Sequence, residues 1–153
     1  MSRRNKIQMT ESEAMAFLRA GHDLQVASIN GDGTPHLVTM WYEVDGSDVC
    51  FWTYGRSQKV VNLRRDPRMT VLVATGEKYE ELRGVSIAGR AEIEDSPEAV
   101  MSFGELVYAK HWGVIDSETV RDGIRAMGAK RVVIRMKADS MVTWDHSKLG
   151  GGY

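Results

Sequence analysis

The sequence predicts a mainly β protein whose antiparallel strands curl into a small barrel with flanking helices. About six or seven segments are rich in β-branched and aromatic residues, and short turns separate most of them. An open sheet of this size would leave one apolar face and two edges unprotected, so we expect it to close on itself. The predicted strands are residues 24–30, 36–44, 49–54, 69–75, 85–93, 131–136 and 141–144.

Length and composition predict a single domain spanning residues 1–153, since 42% hydrophobic content is enough to build one core. The 20 basic and 21 acidic residues leave a net charge of -1, which argues against nucleic acid or a membrane as the main partner. The single cysteine, Cys50, lies in an apolar strand, and we expect it to be buried and reduced. No apolar run resembles a signal peptide or a membrane span, so the expected location is the cytoplasm.

Four segments carry helix start and stop signals. The first follows Thr10, which forms a capping-box pattern with Glu13, and it stops at Gly21. Each of the other three begins at a serine, a favoured N-cap residue. The predicted helices are residues 10–21, 57–66, 96–111 and 117–128, and a glycine-rich tail is expected over 147–153.

Short glycine-containing turns join the first three predicted strands. Residues 31–33, Gly-Asp-Gly, form a tight turn that predicts a hairpin, and residues 45–47 turn the chain again. The first three strands are therefore expected to form a meander. Gly89 lies inside a later strand, where glycine indicates a bulge or a close approach of two backbones.

The functional signal is strongest in residues 53–73, TYGRSQKVVNLRRDPRMTVLV. A strand ends at Gly55 and a short helix starts at Ser57. The first-turn N–H groups of a helix lack intrahelical partners, and the helix dipole favours an anion there. With Arg56 and Lys59 beside that turn, the arrangement predicts a phosphate or carboxylate site. The other basic residues of the stretch are expected on a solvated helix face: Arg64, Arg65 and Arg68.

Metal and hydrolytic sites are not expected. The four histidines are scattered, and none follows another at a spacing of three or four residues, so a metal site is not predicted. Asp145, His146 and Ser147 are adjacent, but neighbours along a strand point to opposite faces and do not form a catalytic triad. A glycine-rich dinucleotide-binding turn is also missing from the sequence.

The stretch from Phe51 onwards resembles the signature of the flavin-binding split-barrel superfamily that includes the pyridoxamine 5'-phosphate oxidases. That signature is an aromatic strand ending in Thr, then Ser-x-Lys, a Leu and an Asx-Pro. The matching positions are Phe51, Thr53, Ser57, Lys59, Leu63 and Asp66-Pro67. The resemblance covers about residues 24–95, with a weaker likeness over 131–145. It implies a split β-barrel that forms a homodimer with its cofactor at the subunit interface.

Two positions separate the branches of this superfamily. The oxidases usually place Arg between the Ser and the Lys, and a basic residue in the second strand, both for the FMN phosphate. Here those places hold Gln58, and Val38 with Thr39. Residues 59–68 and 141–153 are more similar to the branch that uses the deazaflavin coenzyme F420. The resemblance therefore implies F420 as cofactor, with FMN as the alternative.

The resemblance also implies a set of cofactor contacts. In the F420 branch, residues matching Lys59 and Asn62 lie near the cofactor phosphate and its polyglutamate tail. The expected cofactor-binding residues are Thr39, Met40, Trp41, Thr53, Arg56, Ser57, Gln58, Lys59 and Asn62. For Trp41 the alternative is simple core packing. Tyr79 and Trp144 are expected at the substrate pocket.

The implied reaction is the transfer of a hydride from the reduced deazaflavin to an electron-poor double bond of a small organic substrate. Two alternatives stay open. One is an FMN-dependent oxidoreductase like the pyridoxamine phosphate oxidases, and the other is a non-catalytic protein that binds a flavin or deazaflavin.

Overall fold

Seven strands form one antiparallel sheet in the computed structural model, which describes residues 2–150. They are β1 (Asp23–Ile29), β2 (Pro35–Trp41), β3 (Glu43–Asp45), β4 (Asp48–Tyr54), β5 (Arg68–Thr75), β6 (Arg83–Glu94) and β7 (Arg131–Asp145). The helices are α1 (Arg3–Lys6), α2 (Glu11–Ala20), α3 (Gln58–Arg65), α4 (Pro97–His111) and α5 (Glu118–Gly128). Short 3₁₀ turns occupy Tyr79–Glu81 and His146–Leu149. Among the described helices, none has both the length and the apolar character needed to cross a bilayer.

The two edge strands of the sheet are neighbours in the chain. The strand order is β2-β1-β5-β6-β7-β4-β3, so β2 and β3 lie at opposite edges although only Tyr42 separates them. A single residue spans less than 4 Å, so the sheet must curl until its edges meet. The predicted curled antiparallel barrel is confirmed, and it is split because β2 and β3 do not pair.

The predicted meander is wrong. Strands β1 and β2 do form the expected hairpin, with Asp23 opposite Trp41. The chain then breaks at Tyr42, and β4 pairs with β3 and β7 instead of β2. The break arises because Tyr42 is fully buried and its hydroxyl donates to the Leu18 carbonyl of α2. This tertiary contact overrides the continuous strand pattern of residues 36–44.

The two strands predicted near the C-terminus are one continuous strand, β7. Asp139 is the extra residue at a β-bulge, because Gly89 pairs with Ala138 whereas the preceding residue of β6 pairs with Ser140. The bulge explains the glycine inside β6: a Cβ added to Gly89 would lie 2.0 Å from the Lys137 carbonyl oxygen. The predicted close approach at Gly89 is therefore confirmed.

Strand β4 is buried on both faces and feeds two hydrophobic clusters. Phe51 points into the barrel, where it joins inward residues of the other strands such as Leu24 and Ile134. Trp52 points the other way and packs with Phe103 of α4 in a smaller cluster. Successive residues of a strand face opposite sides, so one strand connects the barrel to the helical layer.

The four predicted helices are present as α2 to α5. Thr10 and Glu13 form the expected capping box at α2. The short helix α1 was not predicted because its residues are polar and show no apolar periodicity. The predicted tail is wrong for residues 147–149: His146–Leu149 is a 3₁₀ turn in which Lys148 binds the Gln8 carbonyl at 2.8 Å and Glu13 at 2.6 Å. The remainder of that prediction, residues 151–153, lies outside the described residues.

A cluster of charges fastens the β3–β4 hairpin to the rest of the sheet. The Arg135 guanidinium on β7 lies 2.7 Å from Asp45, 3.0 Å from Glu94 and 3.5 Å from Asp48. The Arg135 side chain is 16% exposed. The hydrogen bonds that it donates to Glu94 and Asp45 raise the pKa of Arg135 further above the ordinary arginine value, so the guanidinium holds its charge.

We predict that Arg135→Met lowers the free energy of unfolding by about 1 to 3 kcal/mol, because three carboxylates lose their shared cation. Urea denaturation followed by circular dichroism measures the change. The matched control is Arg90→Met, at an exposed arginine of β6, which should have no measurable effect. Equal effects of the two substitutions would contradict the assigned role of the cluster.

Candidate functional site

Three of the predicted cofactor-binding residues meet where β4 ends and α3 begins. Lys59 Nζ donates to Thr53 Oγ1 at 3.0 Å, and Thr53 Oγ1 lies 3.4 Å from Ser57 Oγ. Thr53 is 5% exposed and Lys59 is 9% exposed. The turn that joins them is tight, because Ser57 N–H donates to the Tyr54 carbonyl at 3.0 Å. The turn directs α3 back over the end of the barrel.

The Lys59 ammonium forms no ion pair with any of the residues that the structure describes. No carboxylate of residues 2–150 lies within 4.0 Å of Nζ, and the Thr53 hydroxyl is the partner that the structure provides. An ammonium has three donor positions, so two are unused here. Burial lowers the pKa of Lys59 because desolvation penalises its charged form. A buried and unpaired cation of this kind fits an anionic ligand.

The N-terminus of α3 is also unsatisfied. Ser57 occupies the predicted N-cap position, but its side chain caps no N–H group. The side chains of Thr10, Ser96 and Ser117 do cap their helices, α2, α4 and α5. The first-turn N–H groups of α3 therefore remain for a ligand, and the helix dipole adds to the field of Lys59. Together these groups fit the phosphate that the sequence predicts.

Asn62 plays a positioning role in this structure. It is fully buried, and its Nδ2 donates to Ser28 Oγ at 3.1 Å and Asn30 Oδ1 at 3.0 Å. Its Oδ1 accepts from Gln58 Nε2 at 2.9 Å and from Arg65 at 3.3 Å. These contacts hold α3 against the end of β1. The Asn62 side chain is thus engaged within the protein and does not present a free donor to a ligand.

The remaining cations of this stretch differ in their surroundings. Arg56 is exposed beside the start of α3, and no hydrogen bond or ion pair holds its side chain within residues 2–150. Arg64 is exposed, as expected. Arg65 is also exposed, as expected, and its guanidinium donates to the Ile29 carbonyl. Arg68 pairs with Asp66 at 2.6 Å, and hydrogen bonds from Arg68 lower the pKa of Asp66 to about 2.

Three further predicted cofactor-binding residues, Thr39, Met40 and Trp41, lie at the end of β2 that is remote from α3. Trp41 is 52% exposed and stacks on His111 at a centroid distance of 4.3 Å, so the alternative of core packing is wrong. Thr39 lies on the same outer face and donates to Gln25 at 2.7 Å, whereas Met40 packs against the barrel core. Trp41 pairs with Asp23, the first residue of β1, whereas α3 contacts β1 at Ser28. These two positions are roughly 17 Å apart along the strand.

Tyr79 and Trp144 form a separate group, remote from Lys59 within one chain. Thr53 pairs with Val132 at the start of β7, and Trp144 lies twelve residues further along that strand. Trp144 packs on Gly84, where an added Cβ would lie 2.1 Å from the indole. The Tyr79 ring lies 4.5 Å from that of His146. The register therefore places Trp144 far along β7 from the strand position that faces Thr53.

Other reactive groups are committed to structural roles. Ser147 Oγ donates to Asp145 Oδ1 at 2.6 Å, and His146 Nδ1 lies 3.0 Å from the Tyr79 carbonyl oxygen. The serine and histidine are therefore not partners. Burial raises the pKa of the Cys50 thiol to about 12, which leaves it unreactive. Within residues 2–150, no group of three His, Cys, Asp or Glu side chains is placed to hold a metal ion.

Sequence reasoning missed Ser28, Asn30 and His36. The first two hold Asn62 and so determine where α3 sits, but they are small polar residues that lie more than thirty positions away in the sequence. His36 pairs with Ser28 across the hairpin, and its Nδ1 is buried with no hydrogen-bond partner. No spacing in the sequence connects these residues to the α3 segment.

The split barrel and the anion site at the start of α3 define a cofactor-binding protein of the flavin-type split-barrel class. A family model described as pyridoxamine 5'-phosphate oxidase matches residues 10–145. The chain therefore belongs to the pyridoxamine 5'-phosphate oxidase family, and the resemblance predicted from the sequence is confirmed.

Individual relatives add detail. An F420H(2)-dependent biliverdin reductase from Mycobacterium tuberculosis (strain CDC 1551 / Oshkosh) is 29% identical over 102 residues, covering 65% of this chain and 70% of the relative. The crystal structure of the conserved hypothetical protein Rv2991 from Mycobacterium tuberculosis superposes with a TM-score of 0.93 at 38% identity, covering 100% of this chain and 95% of that one. A structure described as an F420 reductase has a TM-score of 0.67 at 22% identity, with coverage of 87% and 98%, which shows a shared fold.

We predict that Asn62→Ala reduces the free energy of unfolding by about 1 to 3 kcal/mol. The substitution leaves Ser28 and Asn30 without their hydrogen-bond partner and loosens the contact of α3 with the barrel. Chemical denaturation monitored by tryptophan fluorescence reports the loss. Arg64→Ala, at an exposed position of the same helix, is the control and should leave stability unchanged. A stable Asn62→Ala variant would show that this network does not hold α3.

Proposed function

We propose that this chain is an oxidoreductase that uses reduced F420 to transfer a hydride to an electron-poor small organic substrate. The observation that carries the proposal is the buried Lys59 ammonium, which forms no ion pair within residues 2–150 and lies at an uncapped helix start. The family binds a flavin or deazaflavin that carries a phosphate, and this phosphate is the anion that we assign to the site. The F420H(2)-dependent biliverdin reductase among the relatives supports the choice of the deazaflavin.

Each part of the site has a proposed task. Lys59, the Ser57 hydroxyl and the first-turn N–H groups of α3 hold the cofactor phosphate. The exposed Arg56 is available for the carboxylates of the tail. Asn62 and Gln58 keep α3 in position instead of contacting the phosphate. When bound, the deazaflavin supplies the hydride, and the protein orients the ring and excludes water. Met40, Trp41 and Thr53 are our candidates for contact with the ring, and Thr39 remains a candidate for cofactor binding.

The charge of the site favours F420 over FMN. The phosphate of FMN is a monoester, which carries close to two negative charges at pH 7. The phosphate of F420 is a diester with a single charge. The site supplies one buried cation, because Gln58 donates to Asn62 without adding charge and Val38 is apolar. One ammonium at a helix start matches a monoanion better than a dianion.

We expect Lys59→Met to weaken F420 binding by about 1.5 to 3 kcal/mol, the loss of one charge-assisted contact, while the methionine keeps the packing. Fluorescence titrations with F420 and FMN, run side by side on both proteins, measure this. Arg64→Met on the same helix is the control and should bind as the unmodified protein does. Unchanged affinity in Lys59→Met would place the phosphate elsewhere, and tighter binding of FMN than of F420 would favour the FMN-dependent alternative.

The pH dependence of binding provides a second readout of Lys59. Burial lowers the lysine pKa in the free protein, and a bound anion raises it again by favouring the charged form. Affinity should therefore be full below the lowered pKa and fall as pH rises through it. Lys59→Met should remove this dependence. A flat profile in the unmodified protein would show that the ammonium does not contact the anion.

Turnover separates an enzyme from a non-catalytic carrier. Oxidation of reduced F420, followed by absorbance with a panel of enones and with biliverdin, tests the proposed reaction directly. Consumption of the reduced cofactor by any of these compounds supports the reductase. Tight binding without oxidation by any of them would favour a protein that only binds the cofactor.

We also propose that the chain forms a homodimer through the outer face of β2. This edge strand exposes Leu37 by 67% and Trp41 by 52%, and α3 exposes Val61 by 48%. Natural sheets cover or blunt an edge of this kind, and exposed apolar patches mark interaction sites. A dimer also offers a way to bring Tyr79 and Trp144 of one chain to Lys59 of another.

Light scattering coupled to gel filtration should show a dimer for the unmodified protein and a monomer for Leu37→Glu, because the new charge would be desolvated at the interface. F420 affinity should fall in the same variant. Val114→Glu, at a residue 81% exposed on a loop after α4, is the control and should stay dimeric. A dimeric Leu37→Glu variant would exclude this face as the interface.

A further inference from the structure

A cleft of about 230 Å³ lies between the start of α4, the end of α5 and the first residue of β7. Its apolar wall is formed by Val100, Met101 and Ile124, and its polar lining by Asp95, Arg125 and Arg131. The cleft faces the helical side of β4. Lys59 and Thr53 belong to the opposite side of that strand, because successive strand residues alternate between faces. The cleft is therefore separate from the proposed cofactor site.

Arg131 is held rigidly at the base of this cleft. Its guanidinium carbon lies 4.8 Å from the centroid of the Trp52 ring and 5.0 Å from that of the Tyr54 ring. The sheet register explains both contacts, since Tyr54 pairs with Arg131 and Trp52 lies two residues along the same face. Stacking on two aromatic rings fixes the plane of a guanidinium. Its terminal N–H groups lie in that plane and point away from the rings.

The charge of Arg131 has no carboxylate partner among residues 2–150. No carboxylate in the described part of the chain lies within 4.0 Å of it, and its Nε is buried without a hydrogen-bond acceptor. Arg135, four residues further along β7, shows the usual arrangement, because it contacts three carboxylates. A half-buried guanidinium that borders a cleft and has no carboxylate within 4.0 Å among the described residues is suited to binding an anion from outside.

The other lining groups restrict the kind of anion. Arg125 is already paired with Asp122 at 2.5 Å, so it adds little free positive charge. The Asp95 carboxylate disfavours a dianion such as phosphate. The three apolar side chains favour an uncharged hydrocarbon body. A volume of 230 Å³ is that of roughly eight water molecules, so the cleft suits an acid with about as many non-hydrogen atoms.

We propose that this cleft binds a small monocarboxylate with an apolar body. The carboxylate accepts hydrogen bonds from the Arg131 guanidinium, and the apolar body packs against Val100, Met101 and Ile124. Guanidinium and carboxylate match in geometry, and the surrounding rings and helices keep water away from the pair.

Benzoate is a suitable probe, because it combines one carboxylate with an apolar ring. In titrations followed by ¹H–¹⁵N NMR, benzoate should cause saturable shifts of the Met101 and Ala129 amide signals. Benzylamine has the same ring with the opposite charge and should cause none. Absence of saturable shifts with benzoate would overturn the proposal, and so would equal binding of inorganic phosphate or benzylamine.

Two variants test the assignment to Arg131. Arg131→Met keeps an apolar stem against the rings and should weaken benzoate binding by about tenfold or more, as expected for one charge-assisted hydrogen bond. Met101→Glu places a carboxylate inside the cleft, so it should compete with benzoate and abolish its binding while the fold is retained. Arg125→Met is the control and should change the affinity by less than about threefold, because its guanidinium is already paired. Benzoate binding that survives both Arg131→Met and Met101→Glu would exclude the cleft as the site.

Discussion

The one-residue connection at Tyr42 is the constraint on which the barrel depends. It joins the two edge strands, so the seven-stranded sheet cannot open without pulling this residue out of the core. Its hydroxyl binds the Leu18 carbonyl of α2, and the Lys110 ammonium of α4 lies 4.8 Å from the centre of its ring. Lys110 also pairs with Glu43 at 3.5 Å. Two helices and both sheet edges thus meet at one side chain, and the buried environment raises the pKa of the Tyr42 hydroxyl, which keeps it a donor.

The two faces of strand β4 have different surroundings. Thr53 faces the barrel end and receives the Lys59 ammonium, whereas Trp52 faces the helices and carries the Arg131 guanidinium. Lys59 is buried and Arg131 is half-buried, and neither has a carboxylate partner in the described structure. The dehydration of an unpaired charge is unfavourable unless a ligand compensates for it. Stability alone gives no reason for two such charges on opposite faces of one strand, and the two binding sites proposed above would account for both.

Much of the fold could be predicted from local signals, because caps, turns and alternating strands depend on neighbouring residues. The β1–β2 hairpin, the α2 capping box and the close approach at Gly89 are examples. The break at Tyr42 could not, since its cause is a contact with α2 more than twenty residues earlier. Within the candidate site, the helix start at Ser57 was enough to predict that Ser57 and Lys59 lie at an anion site. The network through Ser28 and Asn30, and the stacking of His111 on Trp41, depend on pairings between distant elements that a single sequence does not display.

The long separation between β4 and its partner β7 affects how the protein emerges during synthesis. Strand β4 ends at Tyr54, and its pairing residue on β7, Arg131, is made 77 residues later (131 − 54). At ordinary translation rates of about 5 to 20 residues per second, that interval lasts roughly 4 to 15 seconds. During this time β4 pairs only with the three residues of β3, and a two-stranded ribbon is marginally stable alone. A strand that is buried on both faces in the folded protein is then exposed and prone to aggregate until β7 emerges.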